Sequence, residues 1–440
     1  MKAASCLMAG GLVLFSSSLL MSAGTRATPA ERCGGEPCAA VARGLVAFFD
    51  RSPGGLNGNG RACVDCHMAT DHFQLSPANA ERRFQILQLR RVRHPGADDP
   101  LFRPIDADDF RINGDAATDF STLRQHALIR ITLPLPPNVR LIDPATNAPS
   151  AETFVDVWRA VPTVNDVALT GADDVNPWAR GPNEFGGYQL DARLGTLQDQ
   201  ALGALTNHAQ VERAPDQRLL DDLSSFQRLL FTNHRVRALA DAVRADALSL
   251  PDPDPRLNDL ERAGKVVFER ACAQCHGGPG QSTAQAPVVR FHDISSQCPR
   301  PVDTVTPARF SYAPCPSRLD RNARTYEFTQ PNGSKVRRTS SDPGRALLTG
   351  FVGGPPGQDD WQKFDVPGLR GISETAPYFH NNSAATLEDV VDHYIEFFKR
   401  IPVIAPPGVV PPVATTDGVH FDRRPLPEER AALLAYLRKL

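Results

Sequence analysis

Two cysteines three positions apart with a histidine directly after the second, Cys63-Val64-Asp65-Cys66-His67, restrict this chain more than any other stretch. The pattern is the attachment signature of a c-type haem. Its two sulfurs add to the porphyrin's vinyl groups, and the short turn between them leaves the histidine under the ring as the proximal iron ligand. The signature recurs as Cys272-Ala273-Gln274-Cys275-His276. One copy alone would also suit half of a zinc site or a redox dithiol, but two zinc half-sites would lack their remaining ligands. Two covalently attached haems c are therefore expected.

The N-terminus reads Met1-Lys2, an apolar run to about Met21 and small residues through Ala27, the pattern of a secretory signal peptide, here residues 1–28. Beyond it no apolar run approaches bilayer length, so a periplasmic or secreted protein without stable membrane insertion is expected. An oxidising compartment bears on the nine cysteines: Cys6 lies in the signal, four serve haem, and Cys33, Cys38, Cys298 and Cys315 remain. They can close two local disulfides, Cys33–Cys38 and Cys298–Cys315, or stay as thiols. The net charge of −2 provides no basic surplus for a nucleic-acid partner and still permits docking of a small redox protein.

With 440 residues and two haem signatures, two domains are expected, 29–248 and 256–440, joined through the proline-rich stretch Leu248 to Pro255. Apolar residues at helical spacing run from Ala39 to Asp50 and from Leu257 to Arg270, each leading into one Cys-x-x-Cys-His, as in a cytochrome c domain. Glu428 to Leu440 predicts a closing helix for the second half, and Leu219 to Ala247 one or two for the first. The halves also match further in: Val161-Pro162-Thr163-Val164 with Val366-Pro367-Gly368-Leu369, and Thr196-Leu197-Gln198-Asp199 with Thr386-Leu387-Glu388-Asp389. The expected fold is mainly α, two cytochrome c-like domains related by internal duplication. Two inserts, about Arg91 to Thr153 and about Gly278 to Arg345, are rich in Pro, Gly and polar residues and read as long irregular surface loops.

His67 and His276 fill one axial position each, so chemistry depends on the opposite face. The only methionines are Met1, Met8, Met21 and Met68; three leave with the signal, and Met68 is tethered beside His67, so neither haem has the His/Met pair of electron-carrier cytochromes. The helix beginning near Ala385, capped at Thr386 or Ser383, carries His393 and Tyr394. Carried onto the first half, Tyr394 falls on Ala204, which cannot bind iron. A tyrosine-ligated second haem beside an open first one is one reading; an ordinary core stripe, with His393 or nothing as ligand, is the other.

On Val366-Pro367-Gly368-Leu369-Arg370, Thr375-Ala376-Pro377-Tyr378-Phe379-His380 through Tyr394, and Asp342-Pro343-Gly344-Arg345, the chain resembles the bacterial di-haem cytochrome c peroxidase superfamily, which includes the MauG-like enzymes. In family peroxidases the position of Tyr394 is a methionine; in MauG-like members it is a tyrosine. The resemblance implies a reactive N-terminal haem that meets hydrogen peroxide and a C-terminal haem, bracketed by His276 and Tyr394, that holds or relays oxidising equivalents.

It also implies a distal glutamine, matched by Gln200, and ten residues on a glutamate, where this chain has Gln210. An amide cannot shuttle a proton as a carboxylate does; His208 and Glu212 are nearby as replacements or as plain surface residues. The family's inter-haem tryptophan aligns with Leu190, with Tyr188 the nearest aromatic. A calcium ion between the domains is implied through the carbonyls of Thr375 and Pro377, although the family's asparagine aligns with Ala160. The distal histidine of resting peroxidases has no evident counterpart; His72 and His94 are the candidates.

The implied activity is peroxide-dependent oxidation, with a small redox protein as donor or an oxidisable protein or organic molecule as substrate. A dioxygen-dependent oxygenase of the rubber-cleaving di-haem type, and a non-catalytic di-haem electron carrier, are the alternatives.

Overall fold

The computed structural model describes residues 32–170, 187–245, 247–273, 275–277, 281, 291–292, 322–353, 360–400 and 425–440. The signal segment 1–28 and the pair Cys298 and Cys315 lie outside them.

Helix α1 (Cys38–Phe49) leads toward the first Cys-x-x-Cys-His, and Cys33 and Cys38 at its start form the expected disulfide. Its apolar face buries Ala40, Ala47 and Phe48. Between it and the half with the second Cys-x-x-Cys-His come α2 (Pro77–Arg93), α3 (Leu197–Asn207), α4 (Gln217–Gln227) and α5 (His234–Arg244). In the second half α6 (Asp259–Ala271) enters the other Cys-x-x-Cys-His, followed by α7 (Leu387–Arg400) and α8 (Arg430–Leu437). Asn258 and Glu261 close a capping box at the start of α6, satisfying two otherwise unpaired amides.

The two haem-leading helices are crossed in the same way. A Cβ on Gly44 of α1 would lie 1.9 Å from the Asp222 carbonyl oxygen and 2.8 Å from Phe226 Cβ on α4. A Cβ on Gly264 of α6 would lie 1.9 Å from the Ala432 carbonyl oxygen and 2.8 Å from Tyr436 Cβ on α8. Only glycine allows backbones that close. Around each crossing sits an apolar cluster: Phe48, Ala201, Leu205, Leu223 and Phe226 in one, Phe268, Leu387, Val391, Leu433 and Tyr436 in the other.

The two inserts are not irregular loops where they are described. Strand β1 (Leu128–Pro134) pairs antiparallel with β3 (Phe154–Ala160), Leu128 opposite Ala160 and Pro134 opposite Phe154. Strand β2 (Val139–Ile142) crosses to the second half and pairs with β4 (Arg324–Thr329), which also pairs with β5 (Lys335–Ser340). Together they bury the largest apolar cluster in the described residues, including Leu87, Leu101, Leu123, Leu141, Tyr326, Phe328 and Trp361. Tyr326 and Phe328 are fully buried on one face of β4, while Glu327 on the other face is covered by Lys335 and Arg337 of β5, which donate to it at 2.6 and 2.7 Å. The expectation of irregular loop insertions is corrected: beside the helices the described residues hold a two-stranded sheet of β1 and β3 and a three-stranded sheet in the order β2-β4-β5.

Proline-rich Leu248 to Pro255 has no helix or strand, yet it does more than connect. The buried Asp254 accepts from Arg370 at 2.6 Å, Lys265 at 2.8 Å and the Tyr436 hydroxyl at 3.0 Å, anchoring the stretch to the second half. No helix among the described residues is long and apolar enough to cross a membrane.

Candidate haem-attachment sites

Cys63–Cys66 forms a single helical turn. Asp65 holds it: one carboxylate oxygen accepts from the Ala62 amide at 2.9 Å and the other from Arg83 at 3.0 Å. His67 follows at the end of the turn. Its Nδ1 donates to the Phe73 carbonyl at 3.1 Å with the Pro162 carbonyl beside it, so the ring is oriented and Nε2 is left as the ligating atom. Burial lowers the imidazole pKa against the pull of those two carbonyls, which favours the neutral form a metal requires.

At the second site His276 Nδ1 donates to the Pro367 carbonyl at 2.9 Å. Pro162 and Pro367 are the matching prolines of the repeated Val-Pro segments, so both histidines are steered from the same place. None of Cys63, Cys66, Cys272 and Cys275 is in a disulfide. Burial pushes the thiols of Cys63 and Cys272 up to about 12 and that of Cys66 to about 11.

In each half a helix is entered by the same loop. Tyr188 bridges to Leu194 and Tyr378 to Ala384. Left-handed φ values occur at Gln189 (77°) and Ala192 (53°), and again at Phe379 (70°) and Asn382 (55°). Thr196 then caps α3 through the Asp199 amide at 3.0 Å, and Thr386 caps α7 through the Asp389 amide at 3.2 Å. Eight residues past each cap stand Ala204 and Tyr394. Burial pushes the Tyr394 phenol up, followed by the effect of Cys275 and Cys272, which puts the side chain in the electrostatic neighbourhood of the second pair of thiols. His393 is buried beside it, its ring 5.8 Å from that of Tyr394.

A cavity of ≈ 180 Å³ lies at the first site, lined by Cys63, Cys66, His67, Gln200, Ala204 and His208 together with apolar residues from β1 and α3. His208 is brought in; burial lowers its pKa to about 4, and its Nδ1 makes no hydrogen bond among the described residues. Gln210 and Glu212 are not brought in. Both are exposed, Gln210 with φ 50° accepting from Asn59 at 3.0 Å and Glu212 accepting from Asn57 at 3.2 Å. The chain turns outward after α3, so ten residues along the sequence no longer means the same wall of the pocket. His72 pairs with Glu374 at 3.2 Å on the surface, and His94 ends α2 in solvent; neither lines the cavity.

Sequence reasoning missed Arg159, which lines the cavity from β3 and is almost wholly buried. It donates to Asp191 at 2.6 Å and to both oxygens of Asp342 at 2.7 and 3.0 Å, tying the first half to the Asp342-Pro343-Gly344-Arg345 segment. The signal was the inward phase of the β3 alternation, which buries Val155, Val157 and Arg159. Ile129 and Ile131 of the first insert also line the cavity. Near Thr375 and Pro377, the intervening Ala376 carbonyl accepts from Gln74 at 3.0 Å, a contact between the halves. Leu190 likewise meets the second half, its carbonyl accepting from the Asp365 amide at 2.9 Å.

The residues present thus fit two c-type haems: paired thiols, an imidazole oriented through Nδ1, and an apolar cavity at the first site. No protein-family model matches the sequence, and no curated protein matches it. Among solved structures the chain is similar to a MauG-like protein associated with microbial copper homeostasis, with 19% identity over 94% of this chain and 91% of that one, TM-score 0.42. It is similar to the diheme peroxidase BthA from Burkholderia thailandensis, with 16% identity over 91% and 86% of the two chains, TM-score 0.38. A third is Kuenenia stuttgartiensis hydrazine synthase, 16% identity over 76% and 85%, TM-score 0.33. At such values the functional reading has to come from this chain's own residues.

Proposed function

We propose that this chain is an exported oxidoreductase with two covalently attached haems c, formed by duplicated halves at 29–248 and 256–440. Hydrogen peroxide reacts at the first site, and the second, between His276 and Tyr394, holds or relays the oxidising equivalents. One observation carries the reading: Ala204 and Tyr394 occupy the same step of two helices that begin with the same loop and the same cap. A methyl group leaves the position opposite His67 open to a small oxidant, whereas a phenol oxygen can close the position opposite His276.

When bound, a haem supplies the iron that breaks an oxygen–oxygen bond. The chain's own part is to orient the oxidant and move its proton. The Gln200 amide donates a hydrogen bond to an oxygen in the cavity. His208, neutral at pH 7 with an unbonded Nδ1, accepts the proton in place of the outward-facing Gln210 and Glu212. Ile129, Ile131 and Leu197 keep the cavity apolar and restrict water. Electrons come from a small redox protein, or from a protein or organic substrate that is oxidised. Calcium at the Thr375 and Pro377 carbonyls is part of the proposal.

Electron paramagnetic resonance of the ferric protein, with a peroxide titration of the Soret band, tests the reading. One high-spin and one low-spin signal are expected, with the low-spin signal lost in Tyr394→Phe and a rapid, stoichiometric Soret change on adding peroxide. An unchanged low-spin signal in Tyr394→Phe removes the tyrosine ligand; a Soret band indifferent to peroxide removes the peroxide chemistry. A second reading, a dioxygen-dependent oxygenase of the rubber-cleaving kind, is favoured by the absence of any carboxylate among the described residues lining the first cavity. If reduced protein does not bind carbon monoxide, both enzymatic readings fail and the electron carrier is left.

A further inference from the structure

Helix α2 has two apolar faces, and only one of them meets the protein. Ala80 and Leu87 are buried, and Phe84 packs partly buried against the same cluster. On the opposite side Ile86, Leu89 and Val92, each three residues after the last, are 48, 71 and 82% exposed. Every residue from Gln88 to Gly96 is exposed, so the last turns of the helix stand clear of the body.

The charge on this projection has one sign. Arg82, Arg90, Arg91 and Arg93 are exposed with His94, and no acidic residue occurs between Glu81 and Asp98. Those two acids are taken, Glu81 by Arg124 and Asp98 by Arg103. Arg91 donates to the Ala97 carbonyl at 3.0 Å; Arg90, Arg91 and Arg93 have no ion pair among the described residues. In a chain of net charge −2 this is a local cationic rim around an apolar stripe.

We propose that this face docks a small acidic one-electron carrier protein, whose own apolar patch covers Ile86, Leu89 and Val92 while its acids meet the arginines; the electron-delivery part rests on the haem reading above. Position selects this occupant. Arg83 on the same helix donates to the Asp65 carbonyl at 2.8 Å and to its carboxylate at 3.0 Å, and Leu87 shares a cluster with Cys66, so α2 is fastened to the haem-bearing turn. At the helical rise, Leu89 and Val92 lie only roughly 9 and 14 Å along the axis from Arg83. A carrier seated there rests on the helix that is fastened to the first Cys-x-x-Cys-His turn. The carrier's copper(I), becoming copper(II), would give one electron to the ferric haem that Cys63, Cys66 and His67 would hold; no bond forms or breaks. A lipid surface gains nothing from that proximity, and the stripe lacks the Trp and Tyr of interfacial helices. A second copy of this chain would set arginines against arginines.

Calorimetric titration of the holoprotein with an oxidised acidic copper protein of the plastocyanin class measures docking with no electron moving. Binding is expected to weaken steeply with salt, and to fall about tenfold at low salt in the triple variant Arg90→Glu, Arg91→Glu, Arg93→Glu. Leu89→Ser with Val92→Ser should lose several-fold and keep the salt dependence. Stopped-flow reduction by the copper(I) form should follow the same order. Wild-type affinity and rate in the triple variant overturn the proposal. So does binding to phosphatidylglycerol-containing vesicles that the triple variant loses while copper-protein binding is unchanged, or a dimer in sedimentation velocity that Leu89→Ser with Val92→Ser dissolves. Haem content by pyridine haemochrome separates the two readings: a chain that docks the carrier but holds no haem overturns the proposed function alone, and a haem-loaded chain that does not dock overturns the docking alone.

Discussion

Replacing Gly264 by alanine tests the helix crossing on which the second half is built. The added methyl would sit 1.9 Å from the Ala432 carbonyl oxygen, against 3.4 Å or more for an ordinary contact, and that oxygen belongs to helix backbone that cannot swing aside. Helices α6 and α8 must separate by more than 1 Å, loosening Phe268, Leu433 and Tyr436. Overpacking of this kind costs about 3 kcal/mol, and the better helix propensity of alanine offsets about 1 kcal/mol of it. The net loss, about 2 kcal/mol, should lower the melting temperature by about 5 °C. Gly44→Ala meets the Asp222 carbonyl oxygen at the same 1.9 Å and should lose a similar amount. Gly203→Ala in α3 is the control: its methyl would have nothing closer than Leu194 at 3.8 Å, so it should gain about 1 kcal/mol. Thermal and denaturant unfolding of the holoprotein, followed by circular dichroism and at the Soret band, measures all three. If Gly264→Ala and Gly44→Ala are as stable as Gly203→Ala, the close crossing is wrong.

Two further outcomes concern buried charge where the halves meet. Asp166 is 3% exposed, accepts from the Thr232 amide at 3.0 Å and its hydroxyl at 2.5 Å, and burial pushes its pKa up to about 6. The folded state therefore holds this proton more tightly than the unfolded chain, and stability falls as pH rises from about 4 through about 6. Asp166→Asn should be more stable than wild type at pH 7.5, by at most about 3 kcal/mol, and equal to it near pH 4; equal stability at both pH values refutes the assignment. Arg159→Leu leaves Asp342 without its guanidinium and should cost about 3–5 kcal/mol in denaturant unfolding, a loss that Asp342→Asn in the same chain partly restores. Additive losses would mean the pair is not coupled.

Much of the frame was legible because it is written in short-range chemistry. The helix before each Cys-x-x-Cys-His was read to within two residues from apolar spacing, and of the two candidate caps Thr386 and Ser383 it is Thr386 that caps α7, as its repeat partner Thr196 caps α3. The sheets were not. Their strands are short and set among prolines and glycines, so composition spoke for loops, and the pairing of β2 with β4 joins residues nearly two hundred positions apart. The site divided the same way: Gln200 and His208 share a helix and reach the same cavity, but Gln210 lies past the end of α3, where the backbone turns to a positive φ and carries it outward.

The sequence by itself determined the two Cys-x-x-Cys-His turns and that Ala204 and Tyr394 hold equivalent positions, because each of these depends on spacing within a turn or a repeat. Only the tertiary structure decided which polar groups share the first cavity, that Arg159 links the halves through Asp191 and Asp342, and that the far side of α2 is left bare. Burial and long-range pairing are properties of how distant segments close on one another, and no local pattern records them.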